Sequence, residues 1–517
     1  MSRNTLRTLQ HGVWRRAGCI LLAIILGAGA APAWPAQTGA GDQKEQQGFQ
    51  YKAYTEAQIA EALQRPLQLN DCIGIALTKN LSLKQARGNQ ERARATHSGS
   101  FGIFLPVLTV DGTRANNYVD LPDSLGNFFE SRFDAQSSVT AAAQLYLPLG
   151  TRVEYKRDLL REAQFPQGRR SRSDERAYSF TVTQPLLRGA GPRVASNKVI
   201  SAGYQRRLQE NDFINQQAAT VYSVKSAYYN VLQQRQLLQV NFSAFKNDSA
   251  LAVASEALVI AKLAQRRDVL SAQIRAADSR ATLIKSQTDY QSALDALKDE
   301  MGMPFEQELP LGPDSLVFKP VSLNEQELLQ IALQNNPALR AFQYAIKDAR
   351  LRRGVSRNAT LPQLDLFGTY VRSNETDELA NAEVARARGW TAGATLSYNF
   401  LSREARGAAQ SAQLALIQQE DGYAELEREI TLSMREIVRS VFSSAAEVAA
   451  IQRGIEVAEQ KLEFARAMFN LGRASNFDVT DAQEFLLKAQ NQYLRKLVTY
   501  YSDLALLETL TGQPVTP

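Results

Sequence analysis

The chain has 517 residues, 44% of them hydrophobic and 22% charged, a composition that excludes wholesale disorder. Its two histidines, His11 and His97, and two cysteines, Cys19 and Cys72, exclude a disulfide framework and a His/Cys metal site. The formal charge of +6 owes most of its excess to Arg3, Arg7, Arg15 and Arg16, in an opening stretch with no acid, so it is no footprint for nucleic acid.

That opening stretch has the layout of a secretory signal peptide, 1–36. A basic region to Arg16 precedes the apolar run Ala17 to Gly27, and Ala28-Gly29-Ala30 and Ala31-Pro32-Ala33 are small-residue cleavage sites. The run is too short to span a bilayer, which takes about 20 residues. Cys19 sits at its front, where a lipobox cysteine would follow it, so no lipid anchor is expected there. Residues 37–66 are an added polar segment, expected to be loosely ordered. No later stretch offers a membrane-spanning apolar helix, which leaves an exported chain two fates: soluble, or entering an outer membrane as β-strands.

Two halves then match one another. Ala76-Leu77-Thr78-Lys79-Asn80-Leu81-Ser82-Leu83 aligns with Ala332-Leu333-Gln334-Asn335-Asn336-Pro337-Ala338-Leu339, and at the same shift Leu105-Pro106 falls on Leu361-Pro362. At a second constant shift Asp268-Val269 falls on Asp478-Val479, and Gly302-Met303-Pro304 on Gly512-Gln513-Pro514. A tandem duplication, 67–304 and 321–514 with a linker at 305–320, is expected. Each copy runs helix, Leu-Pro break, strands, long helical hairpin.

In the first copy, Val107 to Arg114 reads as a strand, and Tyr178, Phe180 and Val182 alternate with Ser179, Thr181 and Thr183. Between them lies an excess of residues that includes Val139 to Leu147 and Thr151 to Tyr155, either an added barrel hairpin or a surface one. Arg169-Arg170-Ser171-Arg172 within it reads as an outer loop beside anionic lipid headgroups. The second copy offers Gln363 to Val371 and an alternation from Trp390 to Phe400. A transmembrane strand needs about 9–11 residues with one face to lipid. Tyr178, Phe180, Trp390, Tyr398 and Phe400 suit a membrane girdle. So few strands cannot close a barrel, and open edges are forbidden in lipid, so the barrel must be shared among chains.

The breaker-free stretches that follow are far longer than ordinary helices. Ile430, Met434, Ile437, Val441, Val448, Ile451, Ile455, Ala458, Leu462, Ala465 and Phe469 form a 3.5-residue seam, the mark of left-handed coiled-coil packing. The chain turns at Gly472 and resumes at Val479, Ala482 and Leu486. The first copy turns near Lys262 to Arg267, with Asn241 and Asp248 diluting its seam.

Over about residues 67–514 the chain resembles the TolC-like outer-membrane efflux family. The duplicated Leu-Pro strand entries, Gln184-Pro185-Leu186-Leu187-Arg188-Gly189-Ala190-Gly191 before the first long helix, and the tip Gly472 to Gln483 carry the resemblance. It implies an α+β membrane protein: a homotrimer whose outer-membrane β-barrel, four strands per chain, continues as a coiled-coil α-barrel through the periplasm. It implies a passive exit duct of a tripartite efflux or type I secretion system, fed through a periplasmic adaptor by an inner-membrane transporter. The runner-up is an exported coiled-coil tether that conducts nothing.

With no paired nucleophile and no phosphate-cradling loop, neither catalysis nor a cofactor is expected, and energy must come from a partner. In the duct reading Gly472, Arg473, Ala474 and Ser475, with Lys262, Gln265 and Arg266, dock the adaptor. Asp268, Asp478 and Asp481 are candidate pore-gate rings. For Asp268 and Asp478 the alternative is helix N-capping. Asp481 lies a turn further in.

Overall fold

A computed structural model describes residues 51–122, 128–165, 171–260, 265–313, 315–377, 382–471 and 473–512. The expected signal peptide 1–36 and the first part of the polar segment lie outside these residues. From Tyr51 onward that segment is folded. Helix α1 (Glu56–Ala62) opens on a reciprocal capping box between Thr55 and Gln58, and the Tyr54 hydroxyl donates to Asp71 Oδ1 at 2.9 Å. Ile59 and Ala62 are buried, so the segment gains enough apolar contact to offset its ordering.

The two halves run in a similar order, the first with two more strands and a short extra helix. Helices α2 (Leu69–Lys79) and α3 (Leu81–Ser100) lead into strands β1 (Val107–Pro122), β2 (Phe128–Tyr146), β3 (Arg152–Phe165) and β4 (Ser171–Pro185). A short α4 (Pro192–Ala195) precedes the long α5 (Asn197–Ile260) and its return α6 (Arg266–Met301). In the second half α7 (Glu325–Asn335) and α8 (Pro337–Asn358) precede β5 (Gln363–Asp377), β6 (Ala382–Ser397), the long α9 (Arg403–Asn470) and its return α10 (Asn476–Thr511). Corresponding ends use corresponding devices. Asn80 caps α3 by accepting from Leu83 N–H, and Asn336 caps α8 by accepting from Ala338 and Leu339 N–H. Gly302 and Gly512 end α6 and α10 in the left-handed region, with φ of 65° and 68°. At Gly302 a Cβ would stand 2.5 Å from the Lys79 carbonyl oxygen, so the turn packs directly on the α2–α3 junction.

With 64 and 68 residues, α5 and α9 are each about 100 Å long. The shorter helices tile them: α3 and α6 lie along α5, α8 and α10 along α9, and α10 also packs on α5. The expected seam is the buried face of α9. Met434 and Val448 are fully buried, and Ile430, Ile437, Val441, Ala458, Leu462, Ala465 and Phe469 are buried around them. With Tyr500, Leu504 and Leu507 of α10, and Ala332 and Leu339 from α7 and α8, the part from Ile430 to Val441 forms one hydrophobic core. Cys72 is buried in α2 as a small apolar side chain, its thiol pushed up to about 12 by burial.

The six strands among the described residues form one antiparallel sheet in sequence order, β1 to β6. The four strands per chain implied by the resemblance are therefore corrected to six. The excess of the first half is the pair β2–β3, inserted between β1 and β4 with ladders on both sides, so it is neither a surface hairpin nor a separate unit. The reason is the periodicity of Val139–Leu145 and Val153–Arg157, which continues both faces of the neighbouring strands. Among the described residues no helix is long and apolar enough to cross a membrane.

Candidate functional site: the sheet faces and the hairpin tips

Register sorts the sheet into two chemistries. One hydrogen-bonded row crosses it as Leu108, Ala143, Tyr155, Phe180, Tyr370 and Trp390. Since side chains alternate, these share a face with Val110, Ala141, Val153, Tyr178, Val182, Leu366, Ala392, Ala394 and Leu396. The opposite face carries Thr109, Asp111, Thr140, Gln144, Glu154, Lys156, Thr181, Thr369, Thr391 and Thr395. It is knitted by side-chain contacts: Thr113 with Ser138 (2.7 Å), Thr140 to Asp158 (2.9 Å), and Thr181 with Thr369 (3.1 Å). The apolar face stays open to its surroundings: Val110 is 69% and Trp390 79% exposed. A folded chain leaves such a face uncovered in water only at a cost of about 25 cal/mol per Å². Among the described residues the outer strands β1 and β6 each pair with one neighbour.

Of the expected girdle, Tyr178, Phe180 and Trp390 lie on this apolar face, and the Tyr178 and Tyr370 rings stand 6.4 Å apart. Tyr398 and Phe400 do not belong to the strand. β6 ends at Ser397, where Asn399 accepts from Leu401 N–H to form a turn and Ser402 caps α9. Their alternation with Ser397 and Asn399 mimics a strand that the helix cap terminates; their rings pack edge to face at 4.7 Å.

At the other end of the molecule the two hairpin tips are built alike. Gln265 and Ser475 are the N-caps of α6 and α10, and Asp268 and Asp478, three residues on, return a hydrogen bond to the cap backbone. Ser475 N–H donates to Asp478 Oδ2 at 2.7 Å and its hydroxyl donates at 2.8 Å, holding that carboxyl below the usual range. Asp268 and Asp478 thus fill the capping role set against the pore reading above. Asp481 instead pairs with Lys461 Nζ across its own hairpin at 2.6 Å. Arg473 is exposed, Ala474 half-buried and Arg266 exposed; Gly472 and Lys262 lie outside the described residues. Apolar side chains crowd the same end uncovered, among them Ile260, Leu270, Leu471 and Phe477.

The residues that join the tips were not singled out by the sequence. Asn476 Nδ2 donates to Ser255 Oγ (2.6 Å) and to the Asp268 carbonyl (3.0 Å), tying the second tip to both helices of the first hairpin. Arg275 on α6 reaches the Thr480 carbonyl at 3.3 Å, Glu484 at 3.5 Å and buried Asp248 at 3.6 Å. Leu251 of α5 packs with Leu462, Ala465, Phe469, Val479 and Ala482 beneath them. Only the polar interruption of the α5 seam, at Asn241 and Asp248, signalled a partner.

Residues 328–513 match the family model described as outer membrane efflux protein. The second half of the chain thus carries an outer membrane efflux protein domain. The chain is 22% identical over 453 residues to the alkaline protease secretion protein AprF of Pseudomonas aeruginosa, covering 86% of this chain and 84% of the relative. It is 23% identical over 304 residues to the outer membrane efflux protein BepC of Brucella suis, covering 57% of this chain and 63% of that one. The outer membrane channel MtrE of Neisseria gonorrhoeae has the same fold, with a TM-score of 0.63 at 18% identity over 87% of this chain and 89% of MtrE. Such a protein resides in the outer membrane, and its long helices extend into the periplasm.

Proposed function

We propose that this efflux protein is the passive exit duct of a tripartite efflux or type I secretion system. Three copies close the open edges, β6 of one pairing with β1 of the next, into a barrel with the apolar face in lipid and the threonine-rich face around water. The α5–α6 and α9–α10 hairpins of the three copies continue it as a helical tube, in which the two halves descend from one duplicated unit. The matching Asn caps, glycine ends and capping boxes of the two halves support the duplication.

A periplasmic adaptor docks on the tips, where Arg266, Arg473 and Ser475 lie beside exposed Ile260, Leu471 and Phe477. An inner-membrane transporter supplies the energy. Asp481, half-exposed on the second turn of α10, adds charge to the closed end of the pore. The likeness to AprF favours a protein cargo and that to BepC a solute; the partner transporter selects between them.

The observation that carries this reading is the division of one open six-stranded sheet into a lipid-compatible and a water-compatible face. Planar-bilayer recording of the purified protein tests it. Stepwise conductance is expected, with a reversal potential that shifts toward anions in Asp481→Asn. Absence of conductance from bilayer-inserted protein would favour the tether.

A further inference from the structure

The apolar face of the sheet carries a second band beyond its aromatic one. Measured from the strand ends nearest the helices (Pro185, Gln363 and Ser397), Tyr178, Tyr370 and Trp390 all stand at the same distance along β4, β5 and β6. Two residues further out on each of these strands stands an arginine: Arg176, Arg372 and Arg388. The register confirms the alignment, pairing Tyr178 with Arg372 and Arg372 with Arg388, so the basic groups share the aromatic face. All three are exposed.

The helix-proximal ends step down across the sheet, from Val107 through Tyr146 and Pro185 to Ser397, as strands tilted in a barrel require. At a rise of about 3.3 Å per residue and a tilt of about 40°, the arginines sit about 23 Å above those ends, where an apolar band about 25 Å tall gives way to headgroups. A guanidinium facing hydrocarbon is expensive, whereas at the headgroup level it meets phosphate in a bidentate fork.

We infer that Arg176, Arg372 and Arg388 form a basic collar that binds the phosphate groups of an outer-leaflet glycolipid headgroup, resting directly on the Tyr178–Tyr370–Trp390 belt. This rests on the barrel reading above. The collar sits on three adjacent strands of each copy, so a trimer would carry three such sites. It would fix the barrel's height and angle in the bilayer and order the lipid around it.

The test uses the full-length protein purified in detergent, with native mass spectrometry of the lipid it retains when bisphosphorylated lipid A, or its fully dephosphorylated form, is added. Wild type is expected to retain the phosphorylated lipid and lose it as salt is raised. With about fivefold for each arginine, Arg372→Gln/Arg388→Gln should bind it about 25-fold more weakly. Arg372→Lys/Arg388→Lys should recover part of the loss, and Arg453→Gln on the exposed side of α9 should change nothing. Equal retention of both lipids by wild type, or undiminished retention by the double glutamine variant, would overturn the collar. Should the wild type partition into water in a detergent phase-separation assay, the barrel reading itself would fall, a result separate from either of these.

Discussion

The two hairpins share one geometry and solve it with opposite chemistry. The second closes on an apolar seam, Ile430 to Phe469 of α9, with fully buried Met434 and Val448. The first buries polar groups at the corresponding depth. Asn241 Nδ2 donates to Ser286 Oγ at 2.6 Å, Asp248 faces Arg275, and Ser255 receives Asn476. Higher on α5, Lys225 Nζ meets Glu508 of α10 at 2.5 Å, with the Tyr51 ring 5.1 Å from the ammonium. An apolar seam gains free energy from any close packing, whereas a polar one is satisfied at a single register, because each buried donor needs its own acceptor. The second hairpin therefore supplies cohesion. The first supplies alignment: Asn241 and Asp248 fix its own return helix, while Lys225 and Ser255 fix it against the second hairpin.

That contrast can be broken in order of effect. Glu508→Ala strands a buried ammonium and should cost about 3–5 kcal/mol by denaturant unfolding, whereas Lys225→Met/Glu508→Leu should come close to neutral; equal losses from both would refute the assignment of the pair to alignment. Met434→Ala in the apolar seam should cost about 2–4 kcal/mol through the cavity it leaves. Arg275→Ala, which removes ties to Thr480, Glu484 and Asp248 together, should cost about 1–3 kcal/mol and raise hydrogen exchange at both tips.

Asp248 sharpens the comparison through pH. Burial raises its carboxyl above the ordinary range despite the opposing pull of Arg275. The folded chain then holds a proton that the unfolded chain has released, so this residue's contribution to stability falls as pH rises from the ordinary aspartate value near 4 through the raised one. Asp248→Asn should therefore unfold at a higher temperature at neutral pH, with the gain fading toward pH 4. The smallest effect belongs to the exposed Lys461–Asp481 pair, where Asp481→Asn should change stability by less than about 1 kcal/mol.

Much of this was legible beforehand. The α9 seam, the turn of the second hairpin and the Leu-Pro entries follow from periodicity and breakers, which act locally. The capping alternative for Asp268 and Asp478 needed only a three-residue spacing. The strand around Trp390 was legible too, but its end was not, because Tyr398 and Phe400 continue the alternation past the point where the Ser402 cap starts a helix. Asn476 and Arg275 escaped notice because their partners lie on another hairpin.

The order of residues alone determined two long helical hairpins and short amphipathic strands, since hydrophobic period and helix caps are properties of neighbours along the chain. Only the folded molecule decided that all six strands make one sheet, that its aromatic residues fall into a band, and that polar side chains of α5 and α6 meet the second hairpin. Each of these depends on register between segments far apart in the chain, and register is set by packing and paired hydrogen bonds that no single segment contains.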